Sequence, residues 1–238
     1  MKILMATMGL GIGGAETHIV ELVKELKQEG HDVAIVSNGG VYVPEITAAG
    51  IRHYQAPMHR RNLGDMVRAR KILREIIRKE DPDVVHAHAR IPAFLCGGLC
   101  RRMGYPFVTT AHWVFDTRGL LRYLTDWGER TVAVSEDIKA YLIREYGLPP
   151  EHISVTINGI DTEKFSPAVS GERVIREFGL DRERPILSYV SRMDEDRALV
   201  AGQLIQIAPE LDRAIPGIQL LFAGGGNVFD KLEARAEG

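Results

Sequence analysis

The chain has 238 residues, of which 45% are hydrophobic and 26% are charged. This composition is typical of a globular protein with enough apolar material for one large domain or two smaller ones. A formal net charge of −2 argues against nucleic acid as a partner. No apolar run approaches the ~18 to 20 residues needed to cross a bilayer, and Met1 is not followed by a signal-peptide pattern, so we expect a cytoplasmic protein.

The apolar residues change period repeatedly along the chain, from short β-rich runs to amphipathic stretches of helical length. This alternation predicts an α/β fold in which crossover helices join the strands of a parallel sheet. Strands are predicted at residues 2–8, 32–37, 84–88, 107–112, 131–134, 153–157, 186–190 and 219–223. Helices are predicted at residues 15–28, 43–49, 63–80, 92–102, 120–127, 136–146, 171–178 and 199–211. Gly104 and Gly147 lie where left-handed C-cap residues belong, and Ser135 is placed to cap a helix N-terminus.

The segment from Pro167 to Pro185 is polar and precedes a new strand. Such a segment is typical of a domain boundary, so we predict a first domain over residues 1–167 and a second that begins at residue 168. The tail beyond about residue 226 is expected to be poorly anchored.

A glycine-rich loop follows the first strand. Gly9, Gly11 and Gly14 spell G-x-G-x-x-G and open directly onto a helix, where backbone N–H groups and the helix dipole favour a phosphate. A dinucleotide enzyme also needs an acidic residue about 20 positions on, at the end of the second strand. That strand ends in Ser37-Asn38-Gly39-Gly40, which argues against NAD. A tight turn without a ligand remains an alternative.

Metal-binding patterns are present only superficially. Cys96 and Cys100, together with His86 and His88, supply zinc-type ligands, but nothing fixes a tetrahedral geometry, and buried core thiols are the simpler interpretation. The D-x-D sequences at residues 81–83 and 194–196 are typical of turns. We therefore expect no metal and no cofactor. Of His86 and His88 we expect only one to face a cleft, and a structural role for both.

Eight short segments carry a more specific pattern. They are GGAE at residues 13–16, GHDV at 30–33, DVVHAH at 83–88, TTAH at 109–112, VS at 134–135, INGID at 157–161, SR at 191–192 and QLLFAGGG at 219–226. Each is weak alone, but in this order and spacing they resemble the retaining glycosyltransferases of family 4 across nearly the whole chain.

The resemblance implies a GT-B fold, in which two Rossmann-like domains face each other across a cleft. The first domain would bind the acceptor, either a glycan or a lipid-linked molecule, and the second would bind a UDP- or GDP-linked sugar. Transfer would retain the anomeric configuration, without a metal and without an obvious protein nucleophile.

The resemblance also implies roles for individual residues. Gly13, Gly14, Gly224 and Gly225 would bind the donor. His112 would hydrogen-bond the transferred sugar. Arg192 would neutralise the leaving diphosphate, and Arg197 stands where the family has a lysine, which keeps the charge but replaces a point charge by a guanidinium fork.

Aromatic and basic residues follow His112 directly. Trp113, Arg118 and Arg122 are candidates for the acceptor side, because loops at strand C-termini collect ligands in α/β folds. Packing of this segment within the fold is the alternative.

Residues 60–79 combine a helical apolar period with an excess of arginine and lysine. Such a helix can hold a protein on anionic lipid, which would suit a lipid-linked acceptor. An ordinary solvated helix face is the alternative.

The sequence departs from the family in its second domain. The family's donor domain is about as large as the first and carries a pair of glutamates beyond the last segment matched here. We therefore expect either a fragment of a longer glycosyltransferase or a relative that no longer catalyses transfer and only binds a glycan or partner. A sugar-nucleotide epimerase on the same fold is the other alternative.

Overall fold

The computed structural model describes residues 1–59, 62–115, 117, 121–195 and 197–236. The chain forms two compact units, Met1–Glu163 and Lys164–Gly238. The division lies in the chain shortly before residue 167, where the sequence places a domain boundary. In the described residues, no helix is both long enough and apolar enough to span a membrane.

The first unit is built on a seven-stranded, all-parallel sheet. Its strands are β1 (Lys2–Ala6), β2 (Asp32–Ser37), β3 (Arg52–Gln55), β4 (Val84–Ala87), β5 (Phe107–Ala111), β6 (Arg130–Ala133) and β7 (Ile153–Val155). They are arranged in the order β3-β2-β1-β4-β5-β6-β7. The helices are α1 (Gly14–Gln28), α2 (Val43–Ala48), α3 (Leu63–Glu80), α4 (Arg90–Met103), α5 (Leu121–Leu124) and α6 (Glu136–Tyr146), with a 3-10 turn at Pro150–His152.

Both faces of the sheet are apolar, because successive side chains of a strand point to opposite sides. In β1, Ile3 and Met5 pack with α1 and α2, whereas Leu4 and Ala6 pack with α3 and α4. A third cluster holds α6 against β5, β6 and β7, with Trp127 at its centre. The predicted α/β architecture is therefore confirmed.

Helix ends form as their sequences predict. The hydroxyl of Ser135 accepts a hydrogen bond of 3.2 Å from the backbone N–H of Ile138 at the start of α6. Gly104 and Gly147 end α4 and α6 in the left-handed conformation, with φ of 79° and 66°. These residues fix where each helix stops and hence where the next strand begins.

Strand β3 was not predicted. Its sequence, Arg52-His53-Tyr54-Gln55, is polar and lacks the apolar alternation of a half-buried strand. It forms because it pairs in parallel with β2 at the edge of the sheet, where a strand has only one neighbour and needs little apolar surface.

The second unit contains a two-stranded parallel sheet of β8 (Ile186–Val190) and β9 (Gln219–Ala223). Its helices are α7 (Glu172–Glu177), α8 (Leu199–Gln206), α9 (Ala208–Ala214) and α10 (Phe229–Ala236). The single helix predicted at residues 199–211 is wrong, because the chain breaks at Ile207, and Pro209 lies in the first turn of a new helix. The expectation of a poorly anchored tail is also wrong, since Leu232 of α10 is buried in the core cluster that includes Ala201 of α8.

Candidate active site

The strand order reverses direction between β1 and β4, which are neighbours in the sheet but not in the chain. In open parallel sheets the loops after two such strands run to opposite faces and leave a crevice at the carboxyl edge, where ligands bind. The glycine loop follows β1 at this point, and His88 follows β4. Fold topology alone therefore places a candidate site between these two segments.

The glycine loop is pinned to the core at one residue. Leu10 is fully buried, its N–H donates to the carbonyl of Gly39 at 2.9 Å, and its own carbonyl accepts from the N–H of Tyr42 at 3.1 Å. Gly40 has a φ of 149°, and a Cβ there would overlap the Leu10 carbonyl. The glycines that end β2 therefore let the loop pack closely, at the place where a dinucleotide enzyme carries its acid.

The loop delivers the start of α1 to the crevice. Gly13 is the N-cap residue and has no side chain with which to cap the helix, and Gly14 begins the helix. A Cβ on Gly14 would meet no atom within 4 Å. The first-turn N–H groups of α1 are thus open at Gly14 and positively polarised, as in sites that bind phosphate, whereas the carboxylate of Glu16 lies against Gly13.

Four histidines meet beside this helix start. The ring of His18, on α1, lies 5.3 Å from the ring of His112, which follows β5. The His112 ring is 5.4 Å from that of His88, and the His88 ring is 4.1 Å from that of His86. We call His18, His86, His88 and His112 the histidine cluster. Sequence reasoning did not find the cluster, because its members come from three different elements.

Hydrogen bonds connect part of the histidine cluster. Nδ1 of His88 and Nε2 of His112 are 3.1 Å apart, and Nε2 of His86 is 2.7 Å from the hydroxyl of Thr110. The other ring nitrogens of the linked pair, Nε2 of His88 and Nδ1 of His112, are buried and have no hydrogen-bond partner within the described part of the chain.

Burial lowers the pKa of every histidine in the cluster and so favours the neutral form. Burial, with smaller effects of neighbouring histidines, lowers the pKa of His86 and of His112 to about 4 in each case. Burial likewise holds the pKa of His88 well below its usual range. A neutral imidazole can donate one hydrogen bond but cannot neutralise a phosphate. His112 is therefore suited to a hydroxyl group of a ligand.

His86 and His88 lie side by side in the histidine cluster, whereas Cys96 and Cys100 lie in a hydrophobic core cluster. The expectation that only one of the two histidines faces a cleft is wrong, because residues two apart in a strand share a face, and the centroids of these two rings are 4.1 Å apart. The thiols of Cys96 and Cys100 lie in the core on the α3 and α4 side of the sheet, as expected for buried core thiols. Among the described residues, no group of three or more potential ligands is arranged to hold a metal.

The aromatic and basic residues that follow His112 in the chain lie in different surroundings. Trp113 is 65% exposed next to the cluster. Phe115 is a packing residue, held by hydrogen bonds of 2.9 and 2.7 Å between its backbone and the Tyr141 hydroxyl. Arg122 lines a separate cavity of about 660 Å³, together with Arg70 and Trp127, which contains none of the four histidines. Arg118 lies outside the described residues.

In the second unit, the candidate donor residues converge on one edge. The loops after β8 and β9 are joined by backbone hydrogen bonds from Ser191 to Ala223 at 3.1 Å and from Met193 to Gly225 at 2.9 Å. A Cβ on Gly224 would overlap the carbonyl of Ser191, so the glycine turn is what allows this approach. Gly225 has open space around it.

The arginines of the second unit lie on the loop after β8. The guanidinium of Arg192 is half exposed and lies 3.5 Å from the carboxylate of Asp194. Arg197, five residues further along the chain, is exposed, and its backbone N–H donates to the carbonyl of Asp194 at 2.9 Å. Asp196, the last acid of the second D-x-D sequence, lies outside the described residues.

The start of α1 and His112 therefore lie close to each other at the carboxyl edge of the sheet, beside the switch point between β1 and β4. The sequence profile of Glycosyltransferase Family 4 matches residues 12–164. The chain belongs to this family.

Curated relatives agree with this assignment. The chain is 30% identical over 238 residues to an alpha-maltose-1-phosphate synthase of Mycolicibacterium smegmatis, a match that covers 90% of this chain and 57% of the relative. It is 24% identical to the GPI3 subunit of a phosphatidylinositol N-acetylglucosaminyltransferase of Saccharomyces cerevisiae, with 95% of this chain and 53% of the relative covered. The chain thus spans about half the length of the curated relatives it matches.

Solved structures share the fold. The Anabaena protein HepE in complex with UDP-glucose superimposes with a TM-score of 0.77 at 16% identity, covering 99% of this chain and 65% of that one. A UDP-GlcNAc 2-epimerase from Neisseria meningitidis bound to UDP-GlcNAc gives a lower TM-score of 0.64 at 15% identity, covering 100% of this chain and 69% of that one. The predicted GT-B fold is confirmed.

Proposed function

We propose that this chain acts in a glycosyltransferase that moves a sugar from a nucleotide-sugar donor to an acceptor hydroxyl with retention of configuration. The observation that carries the proposal is that, in a family 4 domain, the start of α1 lies close to the buried His112 beside the topological switch point. The complexes of HepE with UDP-glucose and with UDP support a UDP-linked donor, and a GDP-linked donor is the alternative.

Each part of the site has a role in this proposal. Gly13 and Gly14 bring the start of α1 to the donor diphosphate, and His112 donates to a hydroxyl of the transferred sugar. Cleavage of the sugar–phosphate bond through an oxocarbenium-like state builds negative charge on the diphosphate. Arg192 and Arg197, beside the glycine turn of the second unit, stabilise that charge, and no metal or cofactor is required.

We extend the proposal to a lipid-linked acceptor and a cytoplasmic protein that touches the membrane through α3. Several relatives are named for phosphatidylinositol, which supports an acceptor of this class. On α3, Leu63 and Val67 are 81% and 69% exposed. Lys71, Arg74 and Arg78 continue the same exposed stripe at helical spacing. A helix with apolar and cationic exposed residues binds anionic lipid.

The experiment is a transfer assay with the full-length protein. UDP- and GDP-linked sugars are supplied with and without lipid extracts, and nucleotide release and product mass are measured. We expect acceptor-dependent release of the nucleotide, abolished by His112→Asn and lowered by Arg192→Gln. A protein stabilised by NAD and not by UDP or GDP would overturn the proposal. Acceptor-independent conversion of the nucleotide sugar to its epimer would instead identify an epimerase.

A further inference from the structure

The cavity of about 660 Å³ in the first unit is distinct from the histidine cluster, since none of the four histidines lines it. Residues of α3, α4, α5 and α6 and of the segment before β6 form its walls. Its volume is within the range of small-molecule sites. Three of the residues that line it are Arg70, Arg101 and Arg122, and we call it the arginine cavity.

Two of the three arginines have no anionic partner. Arg101 is paired with the carboxylate of Asp126, which also accepts a hydrogen bond of 3.0 Å from the N–H of Gly128. Arg70 and Arg122 are partly buried, and neither has a hydrogen bond or an ion pair within the described residues. Three arginines against one aspartate leave the lining of the cavity with a formal charge of +2.

The side chain of Arg70 crosses from α3 to α4. A Cβ at Gly98 of α4 would lie 3.5 and 3.6 Å from the two terminal nitrogens of the Arg70 guanidinium, which are ordinary contact distances. Arg70 is thus on the side of α3 that packs against α4, whereas Lys71 and Arg74 belong to the exposed stripe. Its charge is therefore presented to the cavity between the helices.

Aromatic rings supply apolar surface in the same cavity. Trp127 is 8% exposed, and its ring meets the ring of Tyr146 edge-on, with centroids 4.9 Å apart. Tyr146 is held in turn by Arg90, whose Nη2 donates to the tyrosine hydroxyl at 2.8 Å. Tyr123, by contrast, is 80% exposed. A ring or an alkyl group can pack against such side chains.

We propose that the arginine cavity binds a small molecule that carries a phosphate monoester on a ring or another apolar body. A phosphate monoester has a charge of about −1.5 to −2 at pH 7, which matches the two guanidinium groups of Arg70 and Arg122. A carboxylate would neutralise only one of them. Guanidinium groups also bind phosphate oxygens in a bidentate geometry. The aromatic side chains contact the body of the ligand, and the site does not depend on the proposed transferase function.

The two indole N–H groups give a direct readout, because Trp113 and Trp127 are the only tryptophans of the chain. Their ¹H–¹⁵N signals, assigned with Trp113→Phe, are followed in the ¹⁵N-labelled chain during titration with phenyl phosphate. We expect a saturable shift of the Trp127 signal, and weaker binding of inorganic phosphate. Dihexanoyl phosphatidic acid is titrated in parallel: tighter binding than phenyl phosphate assigns the site to a lipid phosphate, and weaker binding assigns it to a soluble ester.

Two results of the titrations would contradict the proposal. A Trp127 signal that stays in place with all three probes would overturn it. Equal affinities for inorganic phosphate and phenyl phosphate would overturn the role of the aromatic side chains.

Variants locate the site. Arg70→Gln and Arg122→Gln should each weaken phenyl phosphate binding by about 10- to 100-fold, the loss typical of one charge-assisted contact. Arg102→Gln is the matched control, because Arg102 is exposed on α4 and does not line the cavity. Equal affinities in all three variants would show that neither cavity arginine binds the phosphate. If one cavity variant does not fold, the other still decides.

A further variant separates the cavity from the candidate active site. His112→Asn should leave the titration of the Trp127 signal unchanged, because His112 does not line the arginine cavity. Loss of phenyl phosphate binding in folded His112→Asn would place the probe at the histidine cluster and overturn the proposal.

Discussion

Arg52 of the edge strand β3 grips Glu80 at the end of α3 through two contacts, with Nη2 2.8 Å from Oε2 and Nε 3.2 Å from Oε1. The same guanidinium binds Asp32 of β2 at 2.8 and 3.1 Å. Tyr54, two residues along β3, donates its hydroxyl to Glu80 as well. The polar strand is thus tied to the sheet and to the following helix, α3, by charged groups, whereas the other strands are held by apolar burial.

The Arg52→Leu variant should be less stable, because it leaves the buried carboxylate of Glu80 without its cation. Breaking a fully buried pair costs ~3–5 kcal/mol, but the Arg52 side chain is 41% exposed, which reduces the expected loss to about 1–3 kcal/mol. Urea unfolding followed by tryptophan fluorescence measures this, since Trp113 and Trp127 both belong to the first unit.

A matched control is Arg144→Leu, which removes an exposed ion pair between neighbouring residues on α6. Its effect should stay within about 0.5 kcal/mol. Equal stability of Arg52→Leu and Arg144→Leu would show that the Arg52 pair contributes no more than a surface contact.

The histidine cluster makes stability depend on pH in a defined direction. The folded-state pKa of His86 and of His112 is lowered to about 4, whereas the unfolded chain binds protons near 6.5. As the pH falls below 6.5 the unfolded state binds protons that the folded state does not bind, so the free energy of unfolding decreases. Each such histidine contributes a slope of about 1.4 kcal/mol per pH unit until the pH reaches the folded pKa.

Urea unfolding at pH 7, 6 and 5 measures this slope, above the range where most carboxylates titrate. We expect His86→Gln to flatten it by about the contribution of one histidine. Substitution of the exposed His59 by Gln is the matched control for the loss of a histidine outside the cluster. A wild-type stability that is constant from pH 7 to pH 5 would contradict the neutral, buried state of the cluster.

The sequence predicts the elements held by local signals and apolar period. Helix α6, with its Ser135 cap and Gly147 stop, was predicted with the bounds it has. Strand β3 was not, because it is held by Arg52 and Tyr54 reaching Glu80, a residue 28 positions away from Arg52 in the chain.

The candidate site was predictable in part. The glycine loop and His112 follow from strand ends and from family resemblance. The proximity of His86 and His88 follows from two-residue strand periodicity, which places both side chains on the same face. The position of His18 beside His112 could not be predicted, because it depends on how α1 packs against the sheet. The position of Arg122 in a separate cavity likewise depends on tertiary packing.

The Gly14→Ala variant should lose donor binding, whereas the Gly40→Ala variant should lose stability. Gly14→Ala adds a Cβ into open space at a helix start, so stability should change by no more than about 1 kcal/mol. It should nevertheless hold a diphosphate away from the first-turn N–H groups. Loss of one such charge-assisted bond, worth ~1.5–3 kcal/mol, weakens donor binding by about 10- to 100-fold.

Gly40→Ala should instead destabilise the fold, because a left-handed position acquires a side chain that overlaps the Leu10 carbonyl. Strain of this kind costs about 1–3 kcal/mol. Thermal unfolding and calorimetric titration of the full-length protein with UDP measure both variants. Unchanged UDP affinity in Gly14→Ala would rule out the proposed approach of the diphosphate to this helix.

The exposed stripe of α3 gives the membrane proposal a quantitative test. Replacing Lys71, Arg74 and Arg78 by glutamate should abolish sedimentation with anionic vesicles at low salt. About 1 kcal/mol per basic residue predicts a loss of at least ~3 kcal/mol, a factor of roughly 100 in partitioning. The matched control reverses Arg173, Arg176 and Arg213, which are exposed in the second unit and change the net charge by the same amount. It should retain most of the binding, because these residues do not belong to α3. Equal losses in the two triple variants would mean that total charge, and not this helix, governs binding. A wild-type protein that stays in the supernatant at low salt would remove the membrane contact altogether.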